Sequence, residues 1–263
     1  MAPVNWSHAL IAVLGLAALP AAADVVAAVR ACVDGNTPRI STVQKIGLTV
    51  HEGGEESFSS EFTLYWRRLK NDERRILLRF REPEDLAGAA LLVTAKRKGQ
   101  PEVHIYLPDQ GRPRSVSSRG ELEGFLGRAN LGIDELELLL DPIGRGGIRV
   151  AKDPQEVDGR AVWLVEQRSS DDERRFARIV TFVDQEFCVP LRAELYDADD
   201  VERKVLEVDA GSFTQVAGSW MPRHLVFRDL AENSETVLQI QDLEVDRPFS
   251  PALLTVEALQ AGR

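Results

Sequence analysis

Residues 57–80 read SFSSEFTLYWRRLKNDERRILLRF, and two strands and a turn are legible in them. Phe58, Phe62, Leu64 and Trp66 share one parity, while Ser59, Glu61, Thr63 and Tyr65 take the other. Ile76, Leu78 and Phe80 alternate with Arg75, Leu77, Arg79 and Arg81. Successive side chains of a strand point to opposite faces, so this period of two marks strands with one face in a core. Between them Lys70-Asn71-Asp72-Glu73 is a polar turn, which makes the pair an antiparallel hairpin.

The same period extends outward in both directions. Ile40, Ile46, Leu48 and Val50 share a parity upstream, and Glu82-Pro83-Glu84-Asp85 ends the hairpin downstream. Further strands are expected near 88–96, 102–107 and 112–117, then near 147–152, 159–168, 174–184, 188–197, 201–216, 219–230 and 234–245. Residues 119–141 (RGELEGFLGRANLGIDELELLLD) break the pattern. Leu122, Phe125 and Leu126, then Ile133, Leu136, Leu139 and Leu140, fall at helical spacing, with Gly132 at the junction and Pro142 as the stop. Residues 24–33 predict a short helix stopped by Gly35-Asn36-Thr37-Pro38, and Ser250-Pro251 predicts a last one through Leu259. The expected fold is mainly β (α+β): one strongly curved antiparallel sheet, an incomplete β-barrel covered by short helices.

The chain opens on an uncharged run, Ala9 to Ala23 (ALIAVLGLAALPAAA), too short to span a bilayer. Pro20 and the small residues Ala21-Ala22-Ala23 give it the form of a signal peptide over 1–23, cut before Asp24, although no Lys or Arg precedes it. Residues 24–263 then form one domain. No Cys directly follows the run, so the protein is expected in the periplasm, soluble and not lipidated. Cys32 and Cys188 are the only thiols. In an oxidising compartment a bond between them would tie the first helix to a late strand; two unrelated buried thiols fit the sequence equally well.

A net charge of -10 argues against a general nucleic-acid binder. Basic pairs such as Arg67-Arg68 and Arg74-Arg75 alternate with acidic residues and read as a solvated sheet face. His8, His51, His104 and His224 are scattered, and no HExxH, CxxC, GxSxG or P-loop occurs, so no catalytic residue, metal or cofactor is assigned. Gly144-Arg145-Gly146-Gly147 precedes a strand rather than a helix and reads as a plain loop; Asp171-Asp172 and Asp199-Asp200 read as solvated turn carboxylates. What remains is apolar surface. If the helices leave the concave side unfilled, its inward residues line a pocket. The candidates on the early strands are Phe62, Leu64, Trp66, Leu78, Phe80, Leu91 and Val93. The late strands add Trp163, Phe182, Leu225, Phe227 and Leu238, and Leu122, Phe125, Leu126, Ile133 and Leu136 belong to the lid. Ordinary core packing accounts for the same periodicity.

A resemblance joins these elements. FREPEDLAGAALL (80–92), EVHIYL (102–107) with Pro108, RPRSVSS (112–118) and GFLGRANLGIDEL (124–136) follow one another, and VPLRAELYD (189–197), GSWMP (218–222) and EVDRPFSPALLTVEAL (244–259) come later. In that order they resemble the outer-membrane lipoprotein-sorting protein family, whose members have the LolA/LolB-like fold. Gly127-Arg128-Ala129 stands where the family has Gly-Ser-Asp, and the strand His104-Ile105-Tyr106 lacks its Trp. The resemblance implies a helix-plugged half-barrel that carries a lipid or an acylated lipoprotein, without catalysis, and an inner-membrane RND/MMPL-type transporter as partner. Two rivals are kept: a filled adaptor that docks on such a transporter, and a hydrolase with an unrecognised site.

Overall fold

The computed structural model describes residues 22–69, 73–96, 101–116, 119–144, 147–169 and 175–260. The apolar run Ala9 to Ala23, read above as a signal peptide, lies outside these residues up to Ala21. So do Lys70-Asn71-Asp72 of the hairpin turn, Arg145-Gly146 and Asp171-Asp172. Helix α1 spans Ala22–Asn36 and leads into β1 (Ser41–Glu52), β2 (Glu55–Arg68), β3 (Arg74–Glu82), β4 (Ala90–Ala95), β5 (Glu102–Tyr106) and β6 (Arg114–Val116). The predicted helical interruption follows as α2 (Arg119–Leu126), a 3-10 turn at Gly127–Ala129 and α3 (Ile133–Leu140). Then come β7 (Ile148–Val150), β8 (Gln155–Val157), β9 (Arg160–Arg168), β10 (Arg178–Asp184), β11 (Pro190–Tyr196) and β12 (Glu202–Val208). The last strands are β13 (Thr214–Val216), β14 (Ser219–Met221), β15 (His224–Asp229) and β16 (Ser234–Val245).

Fourteen strands form one antiparallel sheet in the order β6-β5-β4-β3-β2-β1-β16-β15-β12-β11-β10-β9-β7, with β8 on β9. β16 pairs with β1 over nearly its whole length, so the chain's last strand closes the middle of the sheet. Two expectations change. The stretches 201–216 and 219–230 each divide: Asp209 caps a 3-10 turn at Ala210–Ser212, Pro222 interrupts the second stretch, and β13 pairs with β14 as a separate hairpin. The final helix is instead two 3-10 turns, Pro251–Leu254 and Glu257–Leu259, although Ser250 does cap the first of them.

β6 and β7 are the edges, and the chain between them is the helical insertion. The sheet's curl follows from two adjacent residues of that insertion. Asp141 pairs with Arg74 of β3 at 3.1 Å, and the carbonyl of Pro142 accepts from Thr181 of β10 at 3.0 Å. In a flat sheet those strands, seven steps apart, would be roughly 34 Å from one another. One dipeptide and an arginine side chain do not bridge that gap, so the sheet is rolled, with its edges facing across the insertion. The result is an open barrel laced by side chains instead of strand pairing.

Candidate functional site

The inner face is one apolar surface. Cross-strand rows run Phe62–Phe80, Leu64–Leu78 and Trp66–Ile76, then Leu78–Leu91 and Ile76–Val93, and on the other side Leu48–Leu238–Leu225. The insertion caps this face. Leu122, Leu126, Ile133 and Leu136 are buried in the same cluster as Phe62, Trp66, Leu78, Phe80, Leu91, Val93, Leu225, Phe227 and Leu238, and Phe125 and Leu64 pack half-buried against it. Phe125 meets Phe80 edge-on at 5.6 Å between centroids. Two anticipated residues lie elsewhere. Trp163 packs in a second cluster with Val29 and Val33 of α1 and with Ile143. Phe182 is half-buried and paired with Arg192 and Leu164, on the opposite parity from Ile179 and Thr181. On β10 five of seven residues are buried, so the alternation that would have placed Phe182 is not visible in the sequence.

At one end of the inner face the rows turn polar. Lys204, Asp229, Ser234 and Thr236 sit at successive positions of β12, β15 and β16, and all four are buried. The insertion answers Lys204, Ser234 and Thr236. Lys204 Nζ contacts Glu135 Oε1 at 2.8 Å and donates to the Asn130 carbonyl at 2.9 Å; Asp229 Oδ2 lies 3.5 Å away. Asn130 also donates to Ser234 Oγ at 2.5 Å, and Thr236 donates to the Ala129 carbonyl at 3.0 Å. Glu135 in turn accepts from the N–H of Gly132, closing the N-terminus of α3. Arg175, part-exposed, reaches Asp229 at 3.1 Å. Lys204 and Glu135 are each 1 % exposed, a placement that charged side chains tolerate only when paired and hydrogen-bonded. Sequence reasoning missed this cluster, yet a signal was there: Lys204 shares parity with Leu206 and Val208, and Asp229 with Leu225 and Phe227.

The other end is secured through α1. Cys32 and Cys188 form a disulfide with Cα atoms 5.3 Å apart, so the pairing anticipated as one of two readings is the one present. Asn36 pairs with both the N–H and the carbonyl of Trp220, whose ring stacks on Phe187 at 4.3 Å. The turn that carries Phe187 and Cys188 is organised by Asp184, which accepts from the N–H groups of Glu186 and Phe187 and from Arg160. Burial alone would push the Asp184 carboxyl up, but the Arg160 guanidinium and the two N–H groups outweigh it and hold it below the ordinary carboxylate value. A group depressed in the folded state stabilises above its unfolded pKa of about 3.9 and loses that contribution as pH falls through its folded value. Asp184→Asn is therefore expected to cost about 1–3 kcal/mol near neutral pH. The gap from wild type, read by urea unfolding across pH, should narrow below about pH 4; a gap independent of pH would contradict the assignment.

The outer face corrects one expectation. Arg67, Arg75 and Arg79 are not a solvated stripe: they donate to the carbonyls of Phe249, Leu254 and Ala258 respectively. These hold the C-terminal segment over Leu77, Ala90, Leu92 and Tyr106, where Leu254 and Leu259 are fully buried. Burial under that segment lowers the Arg79 pKa. Arg74 instead faces Asp141. Among the described residues no group of His, Cys, Asp or Glu is placed to hold a metal, and no helix is long and apolar enough to cross a membrane.

Solved structures share this architecture. A DUF1329 family protein from Desulfovibrio piger superposes with a TM-score of 0.81 at 21% identity, over 91% of this chain and 99% of that one. A putative outer membrane lipoprotein-sorting protein domain from Vibrio parahaemolyticus follows at 0.77 and 18%, covering 90% and 97%. A LolA superfamily protein from Nitrosomonas europaea gives 0.62 and 16%, covering 88% and 96%. The class is thus defined by its fold: an open, helix-covered antiparallel barrel of the LolA-like kind. Within it, the chain belongs to the family whose model, described as an uncharacterized protein, matches residues 72–261. No curated protein matches the chain in sequence.

Proposed function

We propose that this protein carries a lipid or the acyl chains of a lipoprotein across the periplasm, sheltering them against the inner face of the open barrel. The observation that supports this most is the division of labour on that face. One continuous apolar surface is covered by a single insertion, and that insertion is held at its borders by polar contacts, including the Lys204 cluster and the Arg74–Asp141 pair. An exposed acyl chain in water costs about 0.8 kcal/mol per CH₂, so a carrier needs such a surface and a cover that yields. The fold shared with the Vibrio domain described as a lipoprotein-sorting protein, and with the LolA superfamily protein, supports the same reading. The residues that would meet the chain are Phe62, Trp66, Phe80, Leu225, Phe227 and Leu238, with the α2–α3 segment drawn back. Native mass spectrometry of gently purified protein is expected to show lipid-sized additional mass, and a fluorescent fatty acid is expected to bind. Apo mass alone together with no binding of the probe would refute the carrier reading.

A further inference from the structure

Within the polar cluster, Lys204 and Asp229 belong to the sheet, and Glu135 and Asn130 belong to the insertion. With the insertion drawn back, Lys204 loses the Glu135 carboxylate at 2.8 Å and the Asn130 carbonyl at 2.9 Å. Asp229 remains, but its Oδ2 also serves Arg175 at 3.1 Å. Two cations then share one carboxylate, and the sheet side carries one excess positive charge on a face it shares with Leu206 and Phe227. An unpaired ammonium in apolar surroundings is strongly unfavourable.

We propose that Lys204 is a head-group site, and that the cargo is an acyl chain whose head bears a single negative charge. In the closed protein the Glu135 carboxylate fills the place of that head. The inference rests on the carrier reading above and adds the charge of the ligand to it. A carboxylate and a phosphodiester both satisfy the site; a neutral head leaves Lys204 without its counter-charge.

Binding of hexadecanoate and of hexadecanol, equal in chain and different in charge, is measured by displacement of a fluorescent probe at about pH 8, where a carboxylate is ionised. The wild type is expected to prefer the acid by about tenfold or more, the size of one hydrogen bond to a charged group. Glu135→Gln keeps the N–H contact at Gly132, removes the competing carboxylate and is expected to widen that preference. Adding Lys204→Met to it removes one positive charge with the negative one already gone, so the cluster stays balanced. This double variant is expected to bind the alcohol more tightly than the wild type does, since no ammonium is left unpaired, and to lose the preference. Equal affinity for acid and alcohol in the wild type, or a preference that survives in the double variant, overturns the head-group site. Binding of neither amphiphile to the wild type overturns the carrier reading itself, and this inference with it. Palmitoyl-lysophosphatidylglycerol measured beside hexadecanoate separates the phosphodiester from the carboxylate as the source of the charge; preference for either over hexadecanol supports the site.

Discussion

Lys204→Ala is expected to lower the unfolding free energy by about 3–5 kcal/mol, the usual cost of breaking a buried ion pair from one side. The reason lies in what stays behind. Among the described residues Glu135, 1 % exposed, keeps the Gly132 N–H as its partner, and Asp229, fully buried, keeps Arg175 and the N–H groups of Ala231 and Glu232. Both carboxylates were placed there against a lysine. The double variant Lys204→Met/Glu135→Gln is expected to lose far less, within about 1.5 kcal/mol of wild type, because charge is removed in balance. The two substitutions are thus strongly non-additive, as contacting residues are. Urea unfolding of the two variants checks this, and hydrogen exchange should show residues 119–142 opening first in Lys204→Ala. Equal losses in both variants would mean that the cluster does not act as a pair.

Loss of the disulfide has an expected effect of similar size. Cys32 and Cys188 are 156 residues apart, and closing so long a loop removes much of the unfolded chain's freedom. The chain-entropy estimate is about 4–5 kcal/mol, near 10 °C in melting temperature for a chain of this size. The double substitution Cys32→Ser/Cys188→Ser should show that drop in a thermal melt, and wild type melted in reductant should coincide with it. The first element to lose exchange protection should be α1, whose remaining ties include the Asn36–Trp220 pair, the Arg30 contact with the Gly144 carbonyl and its packing on Val165 and Val183. A reduced protein with an unchanged melt would show the bond to be dispensable.

Much of the sheet was legible because its strands bury one face. In residues 57–80 the alternation alone assigns Phe62, Trp66, Leu78 and Phe80 to a common side, and the cross-strand register agrees. Legibility fails where both faces are covered. On β10 the run Ile179 to Asp184 is nearly all buried, and Phe182 was placed on the wrong side. It fails again where a partner comes from far along the chain. Arg67, Arg75 and Arg79 look solvated until a segment some 180 residues later lies over them. Parity places Lys204 inward, but Glu135 is 69 residues away, and nothing local says that they meet. The two cysteines carried no distance, so composition left their pairing open where the fold decides it. The turn at Asp209–Ser212, which divides 201–216 and leaves β13 to pair with β14, had a local signal in Asp209, Gly211 and Ser212, residues that favour turns over strands.

The insertion is anchored at both ends, to β6 on one edge of the sheet and to β7 on the other, and it is cinched after α3 by Asp141 and Pro142. A segment fastened in this way is a drawstring and not a flap: it has no free tip to swing. Loosening it lengthens the girth of the barrel by letting the two edge strands part. On the carrier reading proposed above, the bore would then follow the bulk of whatever is inside, and thin and thick cargo would be accommodated by slackening more or less of the same 30-odd residues.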